Sequence, residues 1–371
     1  LAPRMPSRSP ALSQSRPRRS SNSSLGEAAG KSLRGAVFAV LEEQLDSACR
    51  HVELAADPAT TDKAAAEAVH EARKSLKRLR ATLRLLRRGL GSKRVSREGR
   101  LLAQVGRALA ATREAQVMSD VLRDLKRACA VPRPAAPTGE LPPDERAAVQ
   151  PPEYAGYGQA VATAQKVYRE LPQPKAIRPA PAVRDQVVSE LTAARQRVAQ
   201  WSLRGKMRRS LRDGLERAVR RARRAWDVAR APGEPEHAAE RFHDLRKRVK
   251  DLFYMASLLT PAQPAELGPL TEKLDQLADL LGDDHDLAVL AEHARAHPEE
   301  FGGVEVVTPL LALAASRQQA LREALRPLAD SLHELKPRRF ARAVARGLHL
   351  RCAEGEPPPA AEAEAAVDSV D

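Results

Sequence analysis

VHEARKSLKRLRATLRLLRR, residues 69–88, carries two interleaved patterns. Val69, Ala72, Leu76, Leu79, Leu83 and Leu86 recur at steps of three and four, which predicts one apolar seam along a helix. His70, Arg73, Lys77, Arg80, Arg84 and Arg87 each follow a seam residue, so they form a second line about 100° round the same helix. Lys74, Arg78 and Arg88 widen that line. An echo, FHDLRKRVKDLFYMASLL, stands at residues 242–259. It keeps the seam (Phe242, Leu245, Val249, Leu252, Ala256, Leu259) and begins the cationic line with His243, Arg246, Lys247 and Lys250. It then departs, because Phe253 stands where Arg80 would be.

The chain around these stretches is basic and helix-forming. A net charge of +14 over 371 residues points to an anionic partner: nucleic acid, an acidic surface or a phosphorylated polymer. Ala, Arg, Leu and Glu dominate and alternating β-branched runs are absent, so the expected fold class is all-α. Cys49, Cys129 and Cys352 are far apart and odd in number, which suits a reducing cytoplasm and argues against a disulfide framework or a cysteine metal site. No apolar run approaches the length that crosses a bilayer, so no membrane partner is expected.

Composition divides the chain. Residues 1–26 hold five arginines and no acid among Ser and Pro, and read as a disordered basic tail, with a transit peptide as the alternative. A domain over 27–350 is expected, with a first bundle at 27–171 interrupted by a Pro-rich insertion at 131–152, and a second bundle at 182–350. Residues 351–371 read as a disordered acidic tail. Within the first bundle, Asp57-Pro58 ends a helix, Thr61 caps the basic one, and Gly89 and Gly91 close it. In the second, helices are expected at 183–203, 206–230, 237–259, 266–297, 305–330 and 337–350. Some forty residues beyond each histidine motif come VGRALAATREAQVMSDVL and LADLLGDDHDLAVL; aligning Val117 with Val289 sets Arg113 opposite His285. That is an internal repeat too long for a solenoid, and it predicts a duplicated bundle.

A solvated helix face normally mixes charge signs. Between His70 and Arg88 the one acid is Glu71, and Arg217, Arg220, Arg221 and Arg224 share a face of KMRRSLRDGLERAVRRARRAW. Crowded like charges destabilise a fold unless an anion compensates them. Arginine forks and mobile lysines fit phosphate, and cations spread over helical turns fit a chain of anions. Only 3% of residues are aromatic, and Tyr154, Tyr157, Tyr168 and Tyr254 do not interleave with the basic lines, so a base-stacking platform is missing and any nucleic-acid binding is expected to be weak. Cation crowding should keep His70 and His243 neutral until a polyanion binds, so binding is expected to take up protons and tighten as pH falls through six to seven. Asp283, Asp284, His285 and Asp286 are consecutive and point apart, and His293 with His297 lacks a third ligand, so no metal site is expected. No Walker, HExxH or GxSxG motif occurs, and neither a catalytic residue nor a cofactor is assigned.

Those four stretches, VHEARKSLKRLRATLRLL, FHDLRKRVKDLFYMASLL, GLERAVRRARRAW and LGDDHDLAVL, resemble the CHAD family, the conserved-histidine α-helical domain, over roughly residues 30–350. The resemblance implies two four-helix bundles about a pseudo-twofold axis, a basic central cavity, inorganic polyphosphate as ligand and an association with polyphosphate granules. It implies binding roles for His70, Arg73, Lys74, Lys77 and Arg80, for Arg217, Arg220, Arg221 and Arg224, for His243, Arg246, Lys247 and Lys250, and for Arg113 and His285; Arg84 extends the first line. Phe253 and Tyr254 shorten the second line, and Ala110 stands where the second half has Gly282. A nucleic-acid-binding or granule-scaffold protein is one alternative, and a phosphohydrolase or histidine phosphoacceptor another.

Overall fold

Ser32 and Thr61 open the first two helices by supplying acceptors to backbone N–H groups that have no partner inside the helix. Ser32 Oγ accepts from Gly35 N–H at 3.2 Å and Thr61 Oγ1 from Ala64 N–H at 3.3 Å. The helices they start are α1 (Leu33–Ala56) and α2 (Asp62–Leu85). α2 ends before the expected glycines: Leu86 takes φ −83° and ψ 4° while keeping its bond to the Thr82 carbonyl, a single turn α3 (Arg87–Leu90) follows, and Gly91 closes it at φ 87°. The remaining helices are α4 (Ser92–Ala108), α5 (Glu114–Ala130), α6 (Tyr154–Glu170), α7 (Pro181–Ala199), α8 (Met207–Arg230), α9 (Ala238–Leu259), α10 (Pro264–Ala296), α11 (Val304–Asp330) and α12 (Pro337–Ala353). The computed structural model describes residues 32–109, 114–130, 154–171, 178–234 and 237–353. Among them every regular element is helical. The basic tail at 1–26, the insertion at 131–152, Arg113 and the acidic tail beyond Ala353 lie outside the described residues.

The apolar seams meet as their periodicity requires. Val69, Ala72, Leu76, Leu79, Leu83 and Leu86 are buried, and so are Phe242, Leu245, Val249, Leu252, Ala256 and Leu259. Each such leucine contributes about 1.5–3 kcal/mol relative to exposure, so the two seams anchor their helices far more firmly than any surface ion pair could. They share one core with α1, α4, α7, α8, the start of α10 and α12.

The division into bundles at 27–171 and 182–350 needs correction. α6 buries Val161, Ala164 and Tyr168 in a second core with Met118 and Leu122 of α5, Leu287 and Leu290 of α10, and Leu310 of α11. α7, from beyond the Pro-rich break, packs on α1 and α4 instead. Tyr168 stacks on Phe301 with centroids 5.2 Å apart, fixing α6 against the α10–α11 turn. Glu98 of α4, only 3% exposed, takes a fork of two bonds from Arg197 of α7, at 3.0 and 2.9 Å. A Pro-rich break marks a loop, but an apolar stripe does not name its partner.

Gly214 decides how closely α8 approaches α2. A Cβ there would stand 2.1 Å from the Leu85 carbonyl oxygen, so only glycine lets the two backbones cross at this separation. That crossing brings together cations distant in sequence.

Candidate functional site

Where α2, α3, α8 and α9 converge, Arg84, Arg87, Arg217, Arg221 and Arg248 surround a single carboxylate, Asp251. Arg84 Nη1 donates to Asp251 Oδ1 at 2.6 Å, and Arg217 Nη2 donates to the Arg84 carbonyl oxygen at 3.4 Å. Beside the cleft, Arg88 donates to Asp213 at 2.6 Å, tying α3 to α8. Burial raises the Asp251 pKa, while Arg84, Arg248, Arg80 and Arg221 pull it down. The pKa of Arg80 is lowered by burial first and then by Arg84, with Arg107 adding to the effect. Its Nε is buried and makes no hydrogen bond among the described residues. A buried cationic donor without an acceptor is unusual, and here it lies beside the cleft with Arg84 and Arg107 adding to the local positive charge.

Only three of the expected binding residues, Arg84, Arg217 and Arg221, line this cleft. On α2, His70, Arg73, Lys74 and Arg80 are half-buried and Lys77 is exposed. Lys74 pairs within its own helix with Glu71 at 3.1 Å. On α8, Arg220 pairs with Glu216 one turn back and Arg224 is exposed, both away from the cleft lining. Lys250 is half-buried on α9. Arg113 lies outside the described residues.

A second group forms between α9 and α10. The rings of His243 and His285 stack with centroids 4.4 Å apart and 30° between planes. Arg246 approaches Gly282, where a Cβ would come 3.7 Å from its Nη2, an ordinary contact. Burial, then Lys247 and Arg246, lower the pKa of His243, with Asp244 opposing. Burial, followed by Arg246, His243 and Lys247, pushes His285 down to about 4. Desolvation leads in both, ahead of the cation crowding that the sequence suggested, and both effects favour the neutral imidazoles. Of the neighbouring acids, Asp284 is buried and accepts from Arg322 at 2.7 Å. At the exposed end of α10, His293 bonds Glu300 at 2.8 Å and His297 stands 3.6 Å from Glu299.

Arg248 and Asp251 escaped the sequence reading because they lie on the other edge of the α9 seam from His243, Arg246 and Lys250. Arg87 did continue the α2 line, and from the start of α3 it lines the cleft. A lone acid beside a cationic stretch was the available signal for Asp251. The cleft itself is tight, at about 20 Å³. That is room for about one water, so this close-packed cleft is no channel.

The CHAD domain model matches residues 39–295 of the chain, from within α1 to the end of α10. No curated protein matches it.

Proposed function

The chain belongs to the CHAD domain family, and from that membership we propose that it binds inorganic polyphosphate and performs no chemistry on it. The observation that carries the reading is the cleft, in which five arginines from four helices share one carboxylate. Arginine forks bind phosphate oxygens in pairs, and the surplus of positive charge is relieved when a polyanion arrives. Because the cleft is narrow, the phosphate chain lies along its rim, held by Arg87, Arg217 and Arg221, with Asp251 as the internal anion that it displaces.

Duplication and a pseudo-twofold arrangement belong to the same reading. The pairing of α8 with α9 repeats that of α1 with α2, and α12 packs on α8 as α7 packs on α1. The stacked histidines stand beside Arg246 and Lys247 and add positive charge to the ligand-bound state as they take up protons. A reducing cytoplasm, with polyphosphate granules as the place of action, completes the proposal and rests on the far-separated cysteines, of which Cys49 and Cys129 are free thiols.

The test is a titration with polyphosphate of graded length against the chain and an Arg87→Gln, Arg217→Gln, Arg221→Gln variant at equal salt. The variant is expected to bind at least roughly tenfold more weakly. Unchanged affinity would sink the reading. Single-stranded RNA of matched charge should compete poorly, and incubation with magnesium should release no phosphate.

A further inference from the structure

A wide basic concavity lies on the other flank of α8. A cavity of about 690 Å³ opens between the starts of α8 and α12, lined by eight cations and one alanine. Arg209 and Arg212 enter it from α8, and Arg339, Arg342 and Arg346 from α12. None of its residues belongs to the site expected from the sequence. The α12 side also falls beyond the family match, which ends at residue 295.

We propose that this cavity is a second, separate binding site for a short run of linked phosphates. No carboxylate and no aromatic ring line it. Arg212 pairs with Asp213 at 2.7 Å. Lys206, Arg208, Arg209, Arg339, Arg342 and Arg346 make no ion pair among the described residues. Arg339, Arg342 and Arg346 stand at i, i+3 and i+7 on α12, a spacing at which like charges repel unless an anion lies between them. Both flanking helices lack an acid in their first turn, so the positive ends of their backbone dipoles add to the field instead of being offset. Seven of the eight cations are arginines, whose planar forks suit phosphate oxygens, and the absence of rings leaves nothing for a base to stack upon. The volume lies within the range of ligand clefts.

Two features separate this site from the cleft. Arg212 and Arg217 are five positions apart, about 140° round α8, so the two pockets face different ways across its buried stripe. The face between them carries Asp213 and Glu216, each already paired with arginine.

The inference borrows only its choice of probe from the polyphosphate reading, and calorimetry of the full chain with inorganic tripolyphosphate at low salt keeps the two apart. Two sites per chain are expected. Arg339→Gln, Arg342→Gln, Arg346→Gln should abolish one of them, while Arg87→Gln with Arg221→Gln abolishes the other. If the α12 variant keeps the full stoichiometry and affinity, this inference falls and the cleft stands. If only the cleft variant is silent, the second site stands and the cleft reading falls. All three α12 arginines are exposed, so the fold should be retained, and circular dichroism checks it. Arg342→Glu alone provides a second route, with an expected loss of about tenfold or more at that site. An equal loss on neutralising the exposed Arg100, Arg295 and Arg326 would reduce the effect to net charge and overturn the assignment. So would displacement of tripolyphosphate by RNA of equal charge at lower concentration than by longer polyphosphate.

Discussion

His243 and His285 lie face to face in a partly buried site crowded by Arg246 and Lys247, and both are held neutral more firmly than a free imidazole. A histidine whose folded pKa is depressed leaves the unfolded chain holding more protons, so stability is present above the unfolded value near 6.5 and is lost as pH falls toward about 4. Melting temperature measured from pH 7 to pH 5 should therefore decline, by on the order of 1 kcal/mol in stability after allowing for partial exposure. His285→Gln should flatten that slope, and a slope unchanged by the substitution would remove the pair as its source. Asp251 makes the opposite kind of point, because it is the one acid among five arginines. Asp251→Asn withdraws that charge, so the variant should unfold at lower denaturant while binding polyphosphate more tightly at low salt. Chemical denaturation beside the binding titration separates the two effects; weaker binding would show that Asp251 orders the arginines for the ligand.

Among the elements, the crossing of α2 and α8 controls the cleft, and it depends on Gly214. Alanine in place of a helical glycine ordinarily stabilises by up to about 1 kcal/mol. Here the added methyl would meet a backbone carbonyl at 2.1 Å, an overlap that only movement of a whole helix relieves. Overpacking of this kind costs about 1–3 kcal/mol or more, so the steric effect outweighs propensity. Gly214→Ala should lower stability by roughly 2 kcal/mol net and weaken polyphosphate binding, since Arg217 and Arg221 would withdraw from Arg84. A stabilised variant with full affinity would mean that the helices have more freedom at this crossing than their separation implies.

For the whole molecule, a net charge of +14 makes binding a salt-dependent property. Each phosphate neutralised contributes about −0.7 to the slope of log K against log salt for a single-stranded polyanion, so engagement of the three rim arginines predicts a slope of roughly −2. Polyphosphate at about a hundred times its Kd should stabilise the fold by about 2.7 kcal/mol, read as a rise in melting temperature that disappears in high salt. The helices, the cap at Thr61, the apolar seams and the cationic edges were legible in the linear chain, because each depends on residues within a turn or two of one another. So was membership of the family, which rests on motifs of that same short range. The partners of those helices were not legible. Arg84 meets Asp251 across 167 positions, α6 and α7 exchange the sides that the Pro-rich break suggested, and a wide basic cavity joins the start of α8 to a helix more than a hundred residues away. A sequence sets the direction in which each side chain leaves its own helix, but what waits there is decided by close packing of the whole chain.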